Sequence, residues 1–444
     1  MKRYLAPMPT SIPSIKKGAA ATTAAPLCLL AITASCAAFT VGWAATAHAE
    51  TIAITGATIY QTPSKKLLNA TLVMRDGVIV TVAQNGAVPK GARVIDGRNH
   101  VVTAGLIEAA STLGLVEVDL EATGNDGRFG NASTVHAAYR VVDAYNARSV
   151  AVPVARSGGV TSAVIRPTGG IIAGTAAWMA LEDQRTAQPP LRDSVAMAAA
   201  LGNQALASGS RGYAIAALRE LLDDVVSYQR NRNQYERNQS RALLASRSDL
   251  EALLPVVAGK MLLLIRADAE VDIRAALALA KTRKIRIAIE SGTEAWRVAK
   301  ELAVAKVPVV VDPTANLPDD LAALDVRDDN VVLLDRAGVQ VIISTLGNAS
   351  NARMLRQLAG IAVSLGLPYP TALAAITSTP AQVFSEGAPT RGTLNVGQIA
   401  DVVMWTADPL ELATQVTTVF INGVEQSAAS HQTKLLQRYR KLQP

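Results

Sequence analysis

Few side chains in this sequence could hold a metal ion or carry acid–base chemistry. Histidine, which often does both, occurs four times. We expect His100, in a predicted hairpin, and His431, in the C-terminal tail, at the surface, whereas His136 lies in a polar excursion that could reach a pocket. No pair of histidines has metal-ligand spacing. The sequence therefore excludes a histidine-built binuclear site, and a Ser-His-Asp triad would need His136.

A second set of candidates consists of charged residues at or near the ends of predicted buried strands: Glu108, Arg166, Arg266, Asp268 and Glu290. Carboxylates there could form an all-oxygen site for Mg²⁺ or Ca²⁺. The pattern favours a salt-bridged plug instead, because Arg266 is expected to pair with Glu290 or Asp268. Arg166, which precedes a glycine-bearing turn, is a candidate contact for an anionic ligand. Neither a Gly-x-Ser-x-Gly elbow nor a phosphate-binding loop is present.

The elements that must position these residues alternate between apolar strands and amphipathic helices from about 104 to 385. Continuous Val, Ile and Leu runs predict parallel strands that are buried on both faces. Repeated strand–helix units predict a TIM-type (β/α)8 barrel, with its site at the carboxyl ends of the strands. The predicted strands are 105–110, 161–166, 261–265, 286–289, 308–311 and 339–344, and the predicted helices are 271–282, 294–306 and 351–365.

Two insertions interrupt this pattern. The segment 115–151 is polar and rich in glycine, which predicts a mobile loop at the barrel mouth. The segment 211–255 is helical and carries a basic run, which is typical of a solvated helix face.

The flanking segments predict a small composite β-sandwich. Residues 50–103 form its N-terminal part, with a hairpin turn at Asp76–Gly77 and a second hairpin around Asp96–Gly97. Residues 386–425 form its C-terminal part, with a hairpin at Asn422–Gly423, and residues 426–444 form a tail. This arrangement encloses the barrel between the two ends of the chain.

Residues 1–49 have the pattern of a signal peptide: a basic start, an apolar run and a small-x-small cleavage site that ends at Ala49. We expect a periplasmic or secreted protein without a stable membrane span, and lipidation at Cys36 is the weaker alternative. Cleavage would remove both cysteines and four basic residues. The net charge would then fall from +7 to about +3, and this removes the support for nucleic-acid binding.

The stretch Val101–Gly114 and the tail resemble the amidohydrolase superfamily, and specifically its imidazolonepropionase-like and dipeptidase-like branch. The resemblance covers nearly the whole chain after the leader, with its motifs in order. In the tail it rests on three motifs: Thr379-Pro-Ala381, Gly392-Thr-Leu-x-Val-Gly397 and Ala400-Asp-Val-Val-Met-Trp405. It implies a metal-bound hydroxide that hydrolyses carbon–nitrogen bonds, usually on zinc.

The resemblance also implies where the metal ligands should lie, and this chain departs from the family there. Ala110 and Thr112 occupy the first two histidine positions, and Leu346 occupies that of the catalytic Asp. Arg266 or Asp268, and Glu290 or Ser291, fall on the remaining histidine positions. Glu108 occupies the position of an Asp in the family pattern. We expect its side chain either on the strand face opposite the first ligand position or in a structural role.

Three functions follow from these departures. The first is a degenerate, metal-free member that binds a small-molecule ligand or partners an active paralogue. The second is a working hydrolase with a carboxylate-built site, and only this one implies zinc or another divalent metal. The third is a purely structural subunit. Pairing of barrel faces in the family implies a homodimer or heteromer.

Overall fold

The computed structural model describes residues 50–118, 120–129, 134–183, 190–203, 205, 210–318, 323–347 and 349–440. The predicted signal peptide lies outside these ranges. Within them, no helix combines the length and apolar character needed to cross a membrane.

The two ends of the described chain share one mixed β-sheet, as the sequence predicts for a composite domain. Strand β5 pairs antiparallel with β14, and this pairing joins the N-terminal strands to the C-terminal ones. The strands are β1 Ile52–Thr62, β2 Lys65–Arg75, β3 Val78–Gln84, β4 Arg93–Asp96, β5 Val101–Ala104, β14 Val402–Trp405, β15 Val416–Ile421 and β16 Val424–Glu425.

Two of the three predicted hairpins form. Asp76 and Gly77 both have positive φ and connect β2 to the antiparallel strand β3, and β16 folds back on β15 after Asn422–Gly423. The hairpin predicted around Asp96–Gly97 is wrong. Strands β4 and β5 instead pair one after the other along β1, both parallel to it, because the turn carries the chain along β1 rather than back on itself.

The remaining strands form an eight-stranded sheet in sequence order. They are β6 Leu106–Ser111, β7 Val160–Ile165, β8 Ile172–Ala180, β9 Arg192–Ala200, β10 Leu262–Ala267, β11 Ile287–Ser291, β12 Val309–Val311 and β13 Val341–Ile343. A parallel bridge between Ser111 and Gly347 links the first strand to the end of the last. The sheet is therefore a nearly closed barrel, and the predicted barrel fold is confirmed.

The strict alternation of strands and helices is wrong for the second quarter of the barrel. Strand β8 runs antiparallel to both β7 and β9, without an intervening helix. All nine residues of β8 are buried, yet most are Ala, Gly or Thr. Alanine and glycine are depleted in strands, so the run carries no clear strand signal and its burial on both faces compensates for the weak propensity.

Helices between the later strands pack on the barrel. The three helices predicted between the later strands are present; short 3₁₀ turns lead into α6 and α8. The helices are α1 Ala151–Ser157, α2 Arg211–Arg230, α3 Arg232–Glu236, α4 Arg247–Val257, α5 Glu270–Arg283, α6 Ala299–Ala305, α7 Asn330–Arg336, α8 Leu355–Ser364, α9 Tyr369–Ala375, α10 Ser378–Phe384 and α11 His431–Tyr439. The basic run of 211–255 lies on exposed positions, as expected.

The described part of the excursion 115–151 packs on the barrel through backbone pairing. Val135 bridges Ile172, and Arg140 bridges Thr175. Val135 is buried within the core. These pairings hold the excursion beside β8 and the loop that precedes it.

Trp405 joins the terminal sheet to the barrel. Its ring is fully buried, and its indole Nε1 donates to the Thr103 hydroxyl at 2.9 Å. Gly159, which has a positive φ, lies so close that a Cβ there would be 2.3 Å from the ring. Only glycine suits both the backbone conformation and this contact.

Candidate functional site

Three charged side chains meet at the carboxyl ends of the barrel strands. Arg166 directly follows β7, whereas Arg266 and Glu290 are the last residues but one of β10 and β11. Arg266 and Glu290 are register partners on adjacent strands. The residue preceding each of the three packs in the outer core, so alternation directs all three into the lumen.

The Arg166–Glu290 ion pair crosses the lumen. Strands β7 and β11 lie four places apart in the eight-stranded order, on opposite sides of the barrel. Arg166 Nη2 nevertheless donates to Glu290 Oε1 at 2.5 Å, and both side chains are almost fully buried. The pair therefore fills the centre of the barrel as a plug.

Arg266 is the looser partner of the same carboxylate. Its Nη1 lies 3.7 Å from Glu290 Oε1, and its side chain is 30% exposed. The predicted pairing of Arg266 with Glu290 is thus present, but a hydrogen bond is made only by Arg166. Two guanidinium groups consequently share one buried carboxylate.

Burial dominates the electrostatics of Arg166. Removal from water lowers the pKa of its guanidinium, attraction to Glu290 opposes this, and repulsion from Arg266 adds to it. Its Nε is buried and has no hydrogen-bond partner among the described residues. A buried, incompletely satisfied cation is costly, so Arg166 depends on Glu290.

Glu108 closes the seam between the first and last barrel strands. Its carboxylate accepts hydrogen bonds from the Ser344 hydroxyl and from the backbone N–H and hydroxyl of Thr345. The Ala110 N–H also donates to it, at 3.3 Å. The sequence left two interpretations of Glu108 open, and these contacts support the structural one.

Glu108 is fully buried, which disfavours its charged form. Burial raises the pKa of its carboxyl to about 7, and the hydrogen bonds from Ser344, Thr345 and Ala110 limit the rise. Near neutral pH the protonated and the charged form of this carboxyl are therefore both populated.

The residues at the positions where the family resemblance implies metal ligands make other contacts in this structure. The Thr112 hydroxyl donates to the Gly347 carbonyl at 2.5 Å, which braces the seam. Ala110 packs with the apolar residues of the barrel interior. Leu346 offers its backbone carbonyl, 3.5 Å from Arg166 Nη2.

Two of these strand-end positions have an unusual backbone. Ser291 and Leu346 adopt positive φ, at 75° and 50°, which side chains with a Cβ rarely adopt. Such conformations cluster at functional sites. Both residues flank the Arg166–Glu290 pair.

The remaining candidates have described contacts with residues outside the ion pair. Asp268 accepts a hydrogen bond from the Thr293 hydroxyl at 3.4 Å. His136 stacks on Phe129, with ring centroids 4.2 Å apart. His431 is exposed and His100 is half-buried, so the surface position predicted for His100 is only partly right.

The donor set at the mouth does not fit a divalent cation. Arg166 and Arg266 would repel it, and Glu290 already accepts from Arg166. In the parts of the chain that the structure describes, no three His, Cys, Asp or Glu side chains are grouped to hold a metal ion. The carboxylates Glu108, Asp268 and Glu290 have separate partners rather than a common centre.

Sequence reasoning missed Ser344 and Thr345. Both follow the buried strand β13, and their hydroxyls bind Glu108. A lone carboxylate in an otherwise apolar predicted strand was the available signal, because a buried carboxylate requires donors on a neighbouring strand.

Comparison with known proteins identifies the fold. No protein-family model and no curated protein matches the sequence. An amidohydrolase from Thermotoga maritima is 22% identical and covers 84% of this chain and 99% of its own, with a TM-score of 0.77. Molinate hydrolase is 17% identical over 86% of this chain and 95% of its own (TM-score 0.52). An adenosine deaminase from Xanthomonas campestris with bound zinc is 15% identical over 88% and 97% (TM-score 0.50).

These similarities show that the chain has the fold of amidohydrolase structures: the barrel together with the sheet built from both chain ends. The resemblance seen in the sequence is thereby confirmed at the level of the fold.

Proposed function

We propose that this chain is an amidohydrolase-superfamily protein in which ligand binding has replaced metal-dependent hydrolysis. The fold supports the superfamily, together with the sequence motifs of the tail. The single observation that carries the loss of hydrolysis is the Arg166–Glu290 pair across the lumen. It puts a guanidinium where a metal-bound hydroxide would have to form.

Hydrolysis of an amide by the family's route needs a Lewis acid and a base beside the scissile carbon. Here the last barrel strand is followed by Ser344 and Thr345, which bind Glu108, and by Leu346, which has no proton-transfer group. The Glu290 carboxylate is paired with Arg166. The residues present can therefore bind and orient a polar ligand but do not supply a nucleophile.

The test is a hydrolysis assay on a panel of N-acyl amino acids, dipeptides and cyclic amides, with the purified protein at high concentration and with zinc, manganese or magnesium added. We expect rates equal to those of the Arg166→Met variant, since neither protein would catalyse the reaction. Metal-dependent turnover that is lost in a Glu290→Gln variant would overturn the proposal and support the hydrolase with a carboxylate-built site.

A further inference from the structure

The charges at the barrel mouth do not balance. Arg166 and Arg266 both face Glu290, at 2.5 and 3.7 Å, so among these three side chains one positive charge is in excess. Glu108 also acts on Arg166, but its hydrogen bonds go to the seam. Asp268 lies two residues beyond Arg266 and binds Thr293.

The hydrogen-bond donors are also incompletely used. A guanidinium carries five N–H donors. Among the described residues the Arg266 side chain donates no hydrogen bond. The buried Nε atoms of Arg266 and of Arg166 both lack a hydrogen-bond partner there. The Arg266 side chain is 30% exposed, whereas its Nε is buried.

We propose that the barrel mouth binds the carboxylate of a monoanionic small molecule through Arg266, above the Arg166–Glu290 pair. This inference rests on the proposed function, because the Arg166 guanidinium must occupy the place of the metal. The planar fork of arginine matches the two oxygens of a carboxylate. A single bound charge cancels the excess.

A phosphate dianion fits less well. It would leave a net negative charge beside the buried Glu290, and a buried excess charge is costly. A neutral amide would leave the excess cation uncompensated. The charge balance therefore selects a monocarboxylate over both.

The test is calorimetric titration of the purified protein with N-acetylglycine, its neutral counterpart N-acetylglycinamide, and inorganic phosphate, in chelator-treated buffer. We expect N-acetylglycine to bind about tenfold or more tightly than the amide, with phosphate weaker than the carboxylate. Arg266→Ala should weaken carboxylate binding by about tenfold or more, and Arg266→Lys should show an intermediate loss. Arg232→Ala, an exposed arginine on α3, is the matched control and should leave binding unchanged.

A second variant separates this inference from a purely structural plug. Glu290→Gln removes the competing carboxylate, so it should bind N-acetylglycine more tightly than the parent protein. Its thermal midpoint should also rise more on adding that ligand. A structural plug would give lower stability without this gain.

The outcomes are distinguishable from those of the hydrolysis assay. Equal binding of the acid and the amide, or an unchanged affinity in Arg266→Ala, would overturn the carboxylate site but leave the loss of hydrolysis intact. Metal-dependent turnover would overturn the proposed function, whatever the carboxylate affinity.

Discussion

Removing Glu290 should destabilise the protein more than removing either arginine. Glu290→Met leaves two guanidinium groups in the lumen, and Arg166 is almost fully buried there. Breaking a buried ion pair by removing one partner costs about 3–5 kcal/mol. We therefore expect the free energy of unfolding to fall by about 3–5 kcal/mol.

The two arginine variants should follow in the order of their burial. Arg166→Met leaves Glu290 with Arg266 still 3.7 Å away, so we expect a loss of roughly 2–3 kcal/mol, below the range for a fully unpaired charge. Arg266→Ala removes a side chain that is 30% exposed, and solvent screening reduces its expected cost to about 0.5–1 kcal/mol.

The double variant Arg166→Met/Glu290→Met removes the pair together. Replacing a buried ion pair by apolar side chains of similar volume is often neutral or stabilising. We therefore expect the double variant to be more stable than Glu290→Met alone, with a coupling energy of about 2 kcal/mol or more in the cycle.

The assay is equilibrium unfolding in urea, followed by far-ultraviolet circular dichroism, for the parent protein and the four variants. Losses below about 1 kcal/mol for both Glu290→Met and Arg166→Met, adding in the double variant, would refute the reasoning. The two side chains would then not form a buried, energetically coupled pair.

Two further predictions concern the barrel seam and the entry to the barrel, and a third, in helix α2, serves as a control. Burial raises the pKa of Glu108 to about 7 from an ordinary value of 4.5, so between these pH values the folded protein binds more protons than the unfolded chain. The free energy of unfolding should therefore fall by about 3 kcal/mol as the pH rises from 4.5 to 7. Glu108→Gln should reduce this slope in urea titrations at several pH values, and an unchanged slope would argue against a protonated Glu108. Gly105→Ala should destabilise by about 1–3 kcal/mol, because its Cβ would lie 2.1 Å from Thr161 Oγ1; a thermal melt that matches the parent protein would contradict this close contact. Gly212→Ala, in helix α2 with nothing near the new methyl group, is the matched control and should stabilise by up to about 1 kcal/mol.

The strand-end residues show how far sequence reasoning reaches at this site. The Arg266–Glu290 contact could be predicted from the sequence, because both residues end neighbouring predicted strands and parallel strands bring their carboxyl ends together. The Arg166–Glu290 ion pair could not be predicted, since it depends on two strands lying on opposite sides of a closed barrel.

The barrel itself was predicted correctly where apolar runs are rich in Val, Ile and Leu. Strands β8 and β9 were not predicted, because alanine is their most frequent residue. Their strand conformation follows from tertiary burial rather than local propensity. The antiparallel course of β8 follows from the connection that precedes it. A short loop after Arg166 leads directly into β8, which leaves no room for a crossover helix.

Elemental metal analysis of the purified protein, after exchange into metal-free buffer, distinguishes a barrel without metal from a metal-dependent hydrolase. We expect metal well below one ion per chain, because Arg166 and Arg266 both face the Glu290 carboxylate at the barrel mouth. Near-stoichiometric zinc, lost in Glu290→Gln or in a variant of Asp268, would contradict this expectation and would show that the strand ends form a metal centre.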